Sequence, residues 1–280
     1  MLSRRSALPL SAFLLFTLAA APSLAQTEAP AAPSPAVSPT ASLPDLMPLK
    51  KALAPLAGSG LLETQSSFKM TGSRGGATFT FRQNVHILAR SPGRFRAELS
   101  PVGVDGTRRP KLLVVSDGLR VWTYKPGQQA YSVVSRKAFD NANDDMTALG
   151  LAVGGFFIGD GRELAEAFRD ITKDNSTAVL SALADAGVTL TSKAQSVGGA
   201  DYFVYHMTLG KQGLAYVFYV DSQTNALKRI DLTGKTGGMQ IALEETLTTL
   251  RAPASVPPGT FTWSPPPGAK KSAAVTVDPF

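Results

Sequence analysis

The chain offers few groups that could do chemistry: two histidines, His86 and His206, no cysteine, and two adjacent carboxylate pairs, Asp144-Asp145 and Glu244-Glu245. A metal site built on histidine needs further His, Asp or Glu at ligand spacing, and neither histidine has them nearby in the sequence. Without cysteine there is no disulfide, no thiolate ligand and no catalytic thiol. Two carboxylates that share a proton must face each other. Glu244 and Glu245 are neighbours in an alternating segment, so as strand residues they point to opposite faces. Asp144-Asp145 stands just before Met146 and Leu149 and suits a helix start. There is no G-x-S-x-G turn, no phosphate loop and no G-x-G-x-x-G between a strand and a helix. Gly72-Ser73-Arg74-Gly75-Gly76 is glycine-rich but joins two strand-like runs and reads as a hairpin. The chain therefore reads as a non-enzyme with no catalytic residue, metal or cofactor.

What it does offer is apolar and aromatic surface on alternating segments. Phe79, Phe81, Phe95, Trp122, Tyr124, Tyr202, Phe203, Tyr216, Phe218 and Tyr219 all lie in such runs. Most of this is ordinary core. A curved sheet with one apolar face must nevertheless cover that face, and part of it can line a cavity. The ligand-binding surface is expected on Phe79, Phe81, Val85, Ile87, Phe95, Trp122, Tyr124 and Phe218. Its cover is expected from Met146, Leu149, Phe156 and Phe157, with Gly150, Gly154 and Gly155 letting the cover move.

The elements that must position these residues are organised around Ser91–Ser135. Phe95–Leu99, Leu112–Val115, Leu119–Tyr124 and Tyr131–Val134 are apolar, β-rich runs. Ser116-Asp117-Gly118 and Lys125-Pro126-Gly127 join the later ones, and both are turn signals. The stretch predicts an antiparallel meander. Upstream, Leu62–Thr71 and Ala77–Ala89 read as strands; Ala77, Phe79, Phe81, Val85, Ile87 and Ala89 share one face of the second. Downstream, Val188–Ser196, Asp201–Leu209, Leu214–Asp221, Ala226–Leu232 and Met239–Leu250 repeat the pattern, and Phe261–Trp263 predicts a short last strand before a proline run. Residues 139–186 break the two-residue period: Arg162–Arg169 and Ser176–Ala186 read as helices, and Gly187 stops the second. Leu46, Met47, Leu49, Leu53 and Leu56 predict one more short amphipathic helix, limited by Pro48 and Pro55. The fold class is mainly β, with about ten or eleven strands and one helical insertion, in a curved sheet or barrel.

The ends carry separate signals. Arg4 and Arg5, an apolar run from Ala7 to Ala21, and Ser23-Leu24-Ala25 together read as a secretory signal peptide of residues 1–25. Residues 26–43, rich in Ala, Pro, Ser and Thr, read as a disordered linker; residues 44–272 form the folded domain and 273–280 a loose tail. Loss of the signal takes the net charge from +7 to +5. The basic residues are scattered, which argues against nucleic acid. A periplasmic location outside the inner membrane is expected.

Several segments resemble the outer-membrane lipoprotein carrier family (LolA-like), in the wider LolA-LolB-like superfamily. Pro92-Gly93-Arg94-Phe95-Arg96 and Leu113–Pro126, with its Val115-Ser116-Asp117-Gly118 turn and Trp122-Thr123-Tyr124, are similar to that family's central hairpin. Val220–Leu227 and Phe261–Ala269, with Pro265-Pro266-Pro267-Gly268, are similar to its later hairpin and closing segment. The resemblance spans roughly Leu46 to Ala269 in conserved order. It implies an unclosed antiparallel β-barrel under a helical lid at about 139–186, and carriage of acylated lipoprotein or lipid cargo between an inner-membrane donor and an outer-membrane acceptor. It also implies an arginine that latches the lid, for which Arg90 is the nearest match, displaced by one residue. The superfamily also holds sensors, so a partner-binding accessory protein remains the alternative.

Overall fold

The computed structural model of the protein describes residues 43–57, 60–74, 76–90, 93–102, 112–140, 165, 168–210, 213–236, 239–273 and 275. The chain starts with α1 (Met47–Ala57), followed by β1 (Leu61–Arg74), β2 (Ala77–Arg90), β3 (Arg94–Val102), β4 (Leu112–Asp117), β5 (Arg120–Lys125) and β6 (Ala130–Ser135). Helices α2 (Arg136–Asp140) and α3 (Ser176–Asp185) come next, then β7 (Val188–Val197), β8 (Ala200–Leu209), β9 (Leu214–Asp221), β10 (Leu227–Thr236), β11 (Met239–Arg251) and β12 (Lys270–Lys271). The expected signal peptide, linker and Met146–Phe157 cover lie outside the described residues.

All twelve strands form one sheet in the order β12-β6-β5-β4-β3-β2-β1-β11-β10-β9-β8-β7. It consists of two antiparallel meanders, β1–β6 and β7–β11, joined where β1 pairs with β11. The ends of the sheet do not pair with each other, so it is an open sheet rather than a closed barrel. Local chemistry explains the hairpins. At Ser116-Asp117-Gly118 the Asp117 carboxylate accepts 2.8 Å bonds from the Leu119 and Arg120 amides, and Gly118 takes φ 98°. At Lys125-Pro126-Gly127 a 3-10 turn forms instead of a Pro-Gly reversal, and the left-handed residue is Gln129, at φ 48°.

Strand pairing assigns the faces. Phe81, Gln83, Val85 and Ile87 of β2 oppose Met70, Phe68, Ser66 and Thr64 of β1. Phe68 and Met70 in turn oppose Glu245 and Leu243 of β11, which oppose Ile230 and Leu232 of β10. This inner face is buried, and α1 lies against it: Leu46, Leu49, Leu53 and Leu56 join the same core as Phe68, Phe81 and Phe218. Asp45 Oδ1 accepts the Met47 amide at 3.0 Å and so starts α1, and the helix ends two residues after Pro55. Tyr205 reaches from β8 to donate a 2.7 Å bond to the Asp45 carbonyl, which fixes the entry to α1. Lys50 donates to the Ile171 carbonyl at 2.7 Å, so α1 also holds the segment that bears the buried Phe168 and Ile171. At one point the inner face needs glycine: a Cβ on Gly72 would collide with the Phe79 ring lying across it.

The C-terminal segment departs from expectation. Phe261–Trp263 is not a strand; turns at 257–262, closed by bonds from the Thr260 and Thr262 amides to Pro257 and Gly259, curl it instead. The last strand is Lys270–Lys271, after the proline run, where backbone amides are available again; it pairs in parallel with Ala130–Tyr131. Val275 is buried in the main core.

Candidate functional site

The inner face gathers Phe81, Val85, Ile87, Phe95 and Phe218, all buried, with Phe79 half-buried at its rim. Val85 opposes Leu99, Ile87 opposes Ala97 and Ala89 opposes Phe95, which puts these side chains on one surface. Phe218 joins from β9 through its partner Ile230. Phe81 meets Phe68 edge-on at 5.7 Å, and Phe95 meets Phe139 at 6.1 Å. Phe139 lies in α2, at the start of the expected lid. Arg136 tightens that corner: its guanidinium lies 5.5 Å over the Phe95 ring and donates a 2.8 Å bond to the Gly93 carbonyl. The lid positions Met146, Leu149, Phe156 and Phe157 lie outside the described residues.

Two expected members of this surface belong elsewhere. Val121 and Thr123 face inward with Ser116 and Val114, so alternation sends Trp122 and Tyr124 to the outer face. There Tyr124 and Tyr131 each meet Trp263 of the C-terminal segment at 5.4 Å. Arg90 points the same way. Its guanidinium lies 5.7 Å over Phe261 of the C-terminal segment. That segment works as a strap over the outer face, held by Tyr124, Tyr131 and Arg90.

The outer face also carries a polar stretch across β1, β2 and β11. A shallow groove of about 260 Å³ there is lined by Ser67, Lys69, Arg82, Asn84, Glu244 and Thr246 among others. Arg229 binds Asp231 through two nitrogens at 2.6 and 2.9 Å and lies 5.0 Å over Tyr219, whose hydroxyl donates to Asp231 at 3.0 Å. Glu63 accepts from Arg251 and lies 3.2 Å from His86 Nε2. The Arg251 bond, opposed by partial burial and helped by His86, holds the Glu63 carboxyl below the usual carboxylate range. Burial first, and Lys193 second, pull His206 down. Among the described residues no group of three or more His, Cys, Asp or Glu could hold a metal ion.

Three polar side chains interrupt the inner face at its centre: Ser66 on β1, Gln83 on β2 and Glu245 on β11. Ser66 Oγ donates a 2.6 Å bond to Glu245 Oε1. Burial pushes the Glu245 carboxyl up to about 7, against the pull of that bond. Sequence reading passes over Ser66 and Gln83 and weighs Glu245 only as a neighbour of Glu244, yet a signal exists. Within the alternating sets Phe79, Phe81, Val85, Ile87 and Ile241, Leu243, Leu247, the missing members are Gln83 and Glu245.

No family model matches the chain, and no curated protein sequence matches it significantly. Among solved structures it is similar to LprF from Mycobacterium bovis, at 14% identity and a TM-score of 0.38, covering 77% of this chain and 98% of that one. A DUF1329 family protein from Desulfovibrio piger is similar at 15% identity and a TM-score of 0.32, covering 76% and 94%. A LolA superfamily protein from Nitrosomonas europaea is similar at 11% identity and a TM-score of 0.28, covering 75% and 94%.

Proposed function

We propose that this protein is a periplasmic carrier that holds the acyl chains of lipoproteins or lipids against the inner face of its open sheet. One observation carries the reading: a largely apolar surface, from Phe218 through Phe68 and Phe81 to Phe95, is covered among the described residues by α1, by Phe139 of α2 and by the segment bearing Phe168 and Ile171, not by a second sheet. The physical need is plain. Each CH₂ moved out of water gains about 0.8 kcal/mol, so a sixteen-carbon chain is worth on the order of 12 kcal/mol to whatever shelters it. A carrier needs that shelter and no catalytic group. Phe79, Phe81, Val85, Ile87, Phe95 and Phe218 supply the bound surface in this reading. Met146, Leu149, Phe156 and Phe157 supply the cover, which opens towards a membrane-bound donor and again towards an acceptor.

Displacement of a fluorescent fatty acid from the purified protein tests this. Saturable binding that Phe81→Glu and Phe218→Glu abolish, while Arg82→Glu on the outer face leaves it intact, is the expected result. Absence of saturable binding, together with capture of a protein partner through the outer face, would favour the sensor alternative.

A further inference from the structure

The polar side chains that interrupt the inner face are not accounted for by an all-hydrocarbon cup, and Glu245 departs from it most. Glu245 is 1% exposed and stands where an aliphatic residue would pack, between Leu243 and Leu247 along β11 and between Ile230 and Phe68 across the sheet. Its Oε1 accepts the 2.6 Å bond from Ser66, and its Oε2 has no hydrogen-bond partner among the described residues. A buried polar atom left without a partner opposes folding, and a pure hydrocarbon laid against it would recover none of that loss. We propose that Glu245 is the polar subsite of the cup, its second oxygen receiving the N–H or O–H of an amide-linked or hydroxylated acyl chain. This inference rests on the acyl-binding reading above and names the ligand class for it.

The geometry supports the assignment in two ways. Ser66 occupies one carboxyl oxygen and so holds the side chain with the other oxygen enclosed and unpartnered among the described residues, reached by a ligand only when the cover over the inner face moves aside. Gln83, one strand beyond Phe68 in the same row, is a second buried polar side chain on this face. Burial without a compensating cation raises the carboxyl to about 7, so near neutrality its acid form, both donor and acceptor, is well populated.

The test compares two probes of equal chain length, a long-chain N-methyl amide and the matching methyl ester, as competitors of a fluorescent fatty acid on the purified protein. Glu245→Leu is expected to weaken amide binding and leave ester binding unchanged, shifting the ratio of their dissociation constants about tenfold, or about 1.4 kcal/mol. Glu245→Met, unbranched and flexible, replaces the leucine variant should that one not fold. An unchanged ratio in a folded variant that binds both probes overturns the polar subsite and leaves the acyl-binding cup standing. Failure of both probes to displace from the native protein overturns the cup and the subsite together.

Discussion

Ser66 and Glu245 join β1 to β11 by a 2.6 Å hydrogen bond inside the apolar face, at the seam where the two meanders meet. The bond satisfies one carboxyl oxygen only, and burial is the larger influence on the group. The groups opposite Glu245 on the flanking strands, Phe68 and Ile230, do not titrate, and no charged group contributes to its shift. The folded carboxyl titrates at about 7 against 4.5 for an ordinary glutamate. Below the unfolded value both states are protonated and the group is neutral in its effect. As pH rises through the folded value, the unfolded chain ionises more readily, so stability falls by up to about 3 kcal/mol. Denaturation at a series of pH values should show the native protein losing this amount relative to Glu245→Gln between about pH 4 and 7.5. Parallel pH curves for the two proteins would refute this placement of the carboxyl.

Tyr205 ties the entrance of α1 to β8 through its 2.7 Å bond to the Asp45 carbonyl, and its side chain is almost fully buried. Tyr205→Phe removes the donor and leaves a carbonyl without it. Urea unfolding should show a loss of about 1 kcal/mol, with an unchanged dependence on denaturant concentration. A variant as stable as the native protein would mean that water replaces the bond.

The C-terminal strap should be separable from the inner face. Trp263 meets both Tyr124 and Tyr131 on the outer surface. Trp263→Ala is expected to cost about 1–3 kcal/mol from the two aromatic contacts. Acyl-chain displacement should be unaffected. Loss of acyl binding in a folded Trp263→Ala protein would show that the strap and the cup are coupled.

Much of this architecture was legible in the residues. Strand period and the Asp117-Gly118 turn were visible because alternation and turn chemistry are local. So was α1, whose Leu49, Leu53 and Leu56 repeat at helical spacing. Faces were harder. Trp122 and Tyr124 look like cavity residues by type, but Thr123 and Val121 hold the inner positions, and only strand pairing reveals that. Phe261–Trp263 has strand composition, yet it is held by contacts with Arg90, Tyr124 and Tyr131, all distant in sequence. Glu245 was dismissed together with Glu244 because neighbours cannot share a proton. That argument holds, but it says nothing about which of the two is buried.

Glu63 should act opposite to Glu245. Its carboxyl lies below the usual range because of Arg251, so its contribution is present above the ordinary glutamate value and is lost as pH falls through the folded one. Arg251 is largely exposed, with 66% side-chain exposure, so solvent screening limits the pair to at most about 1 kcal/mol. A double-mutant cycle of Glu63→Gln and Arg251→Ala at neutral pH should return a coupling of that order, diminishing with added salt. Zero coupling at low salt would show that the pair contributes nothing.

The most direct test of the cup is photo-crosslinking with a fatty acid that carries a diazirine along its chain, followed by peptide mapping of the labelled sites. Labels on inward-facing residues such as Phe81, Ile87, Phe95 and Phe218, competed away by unlabelled fatty acid, are the predicted result. Labels confined to outward-facing residues such as Trp122, Tyr124 and Trp263, or labelling that competitor does not reduce, would contradict the account.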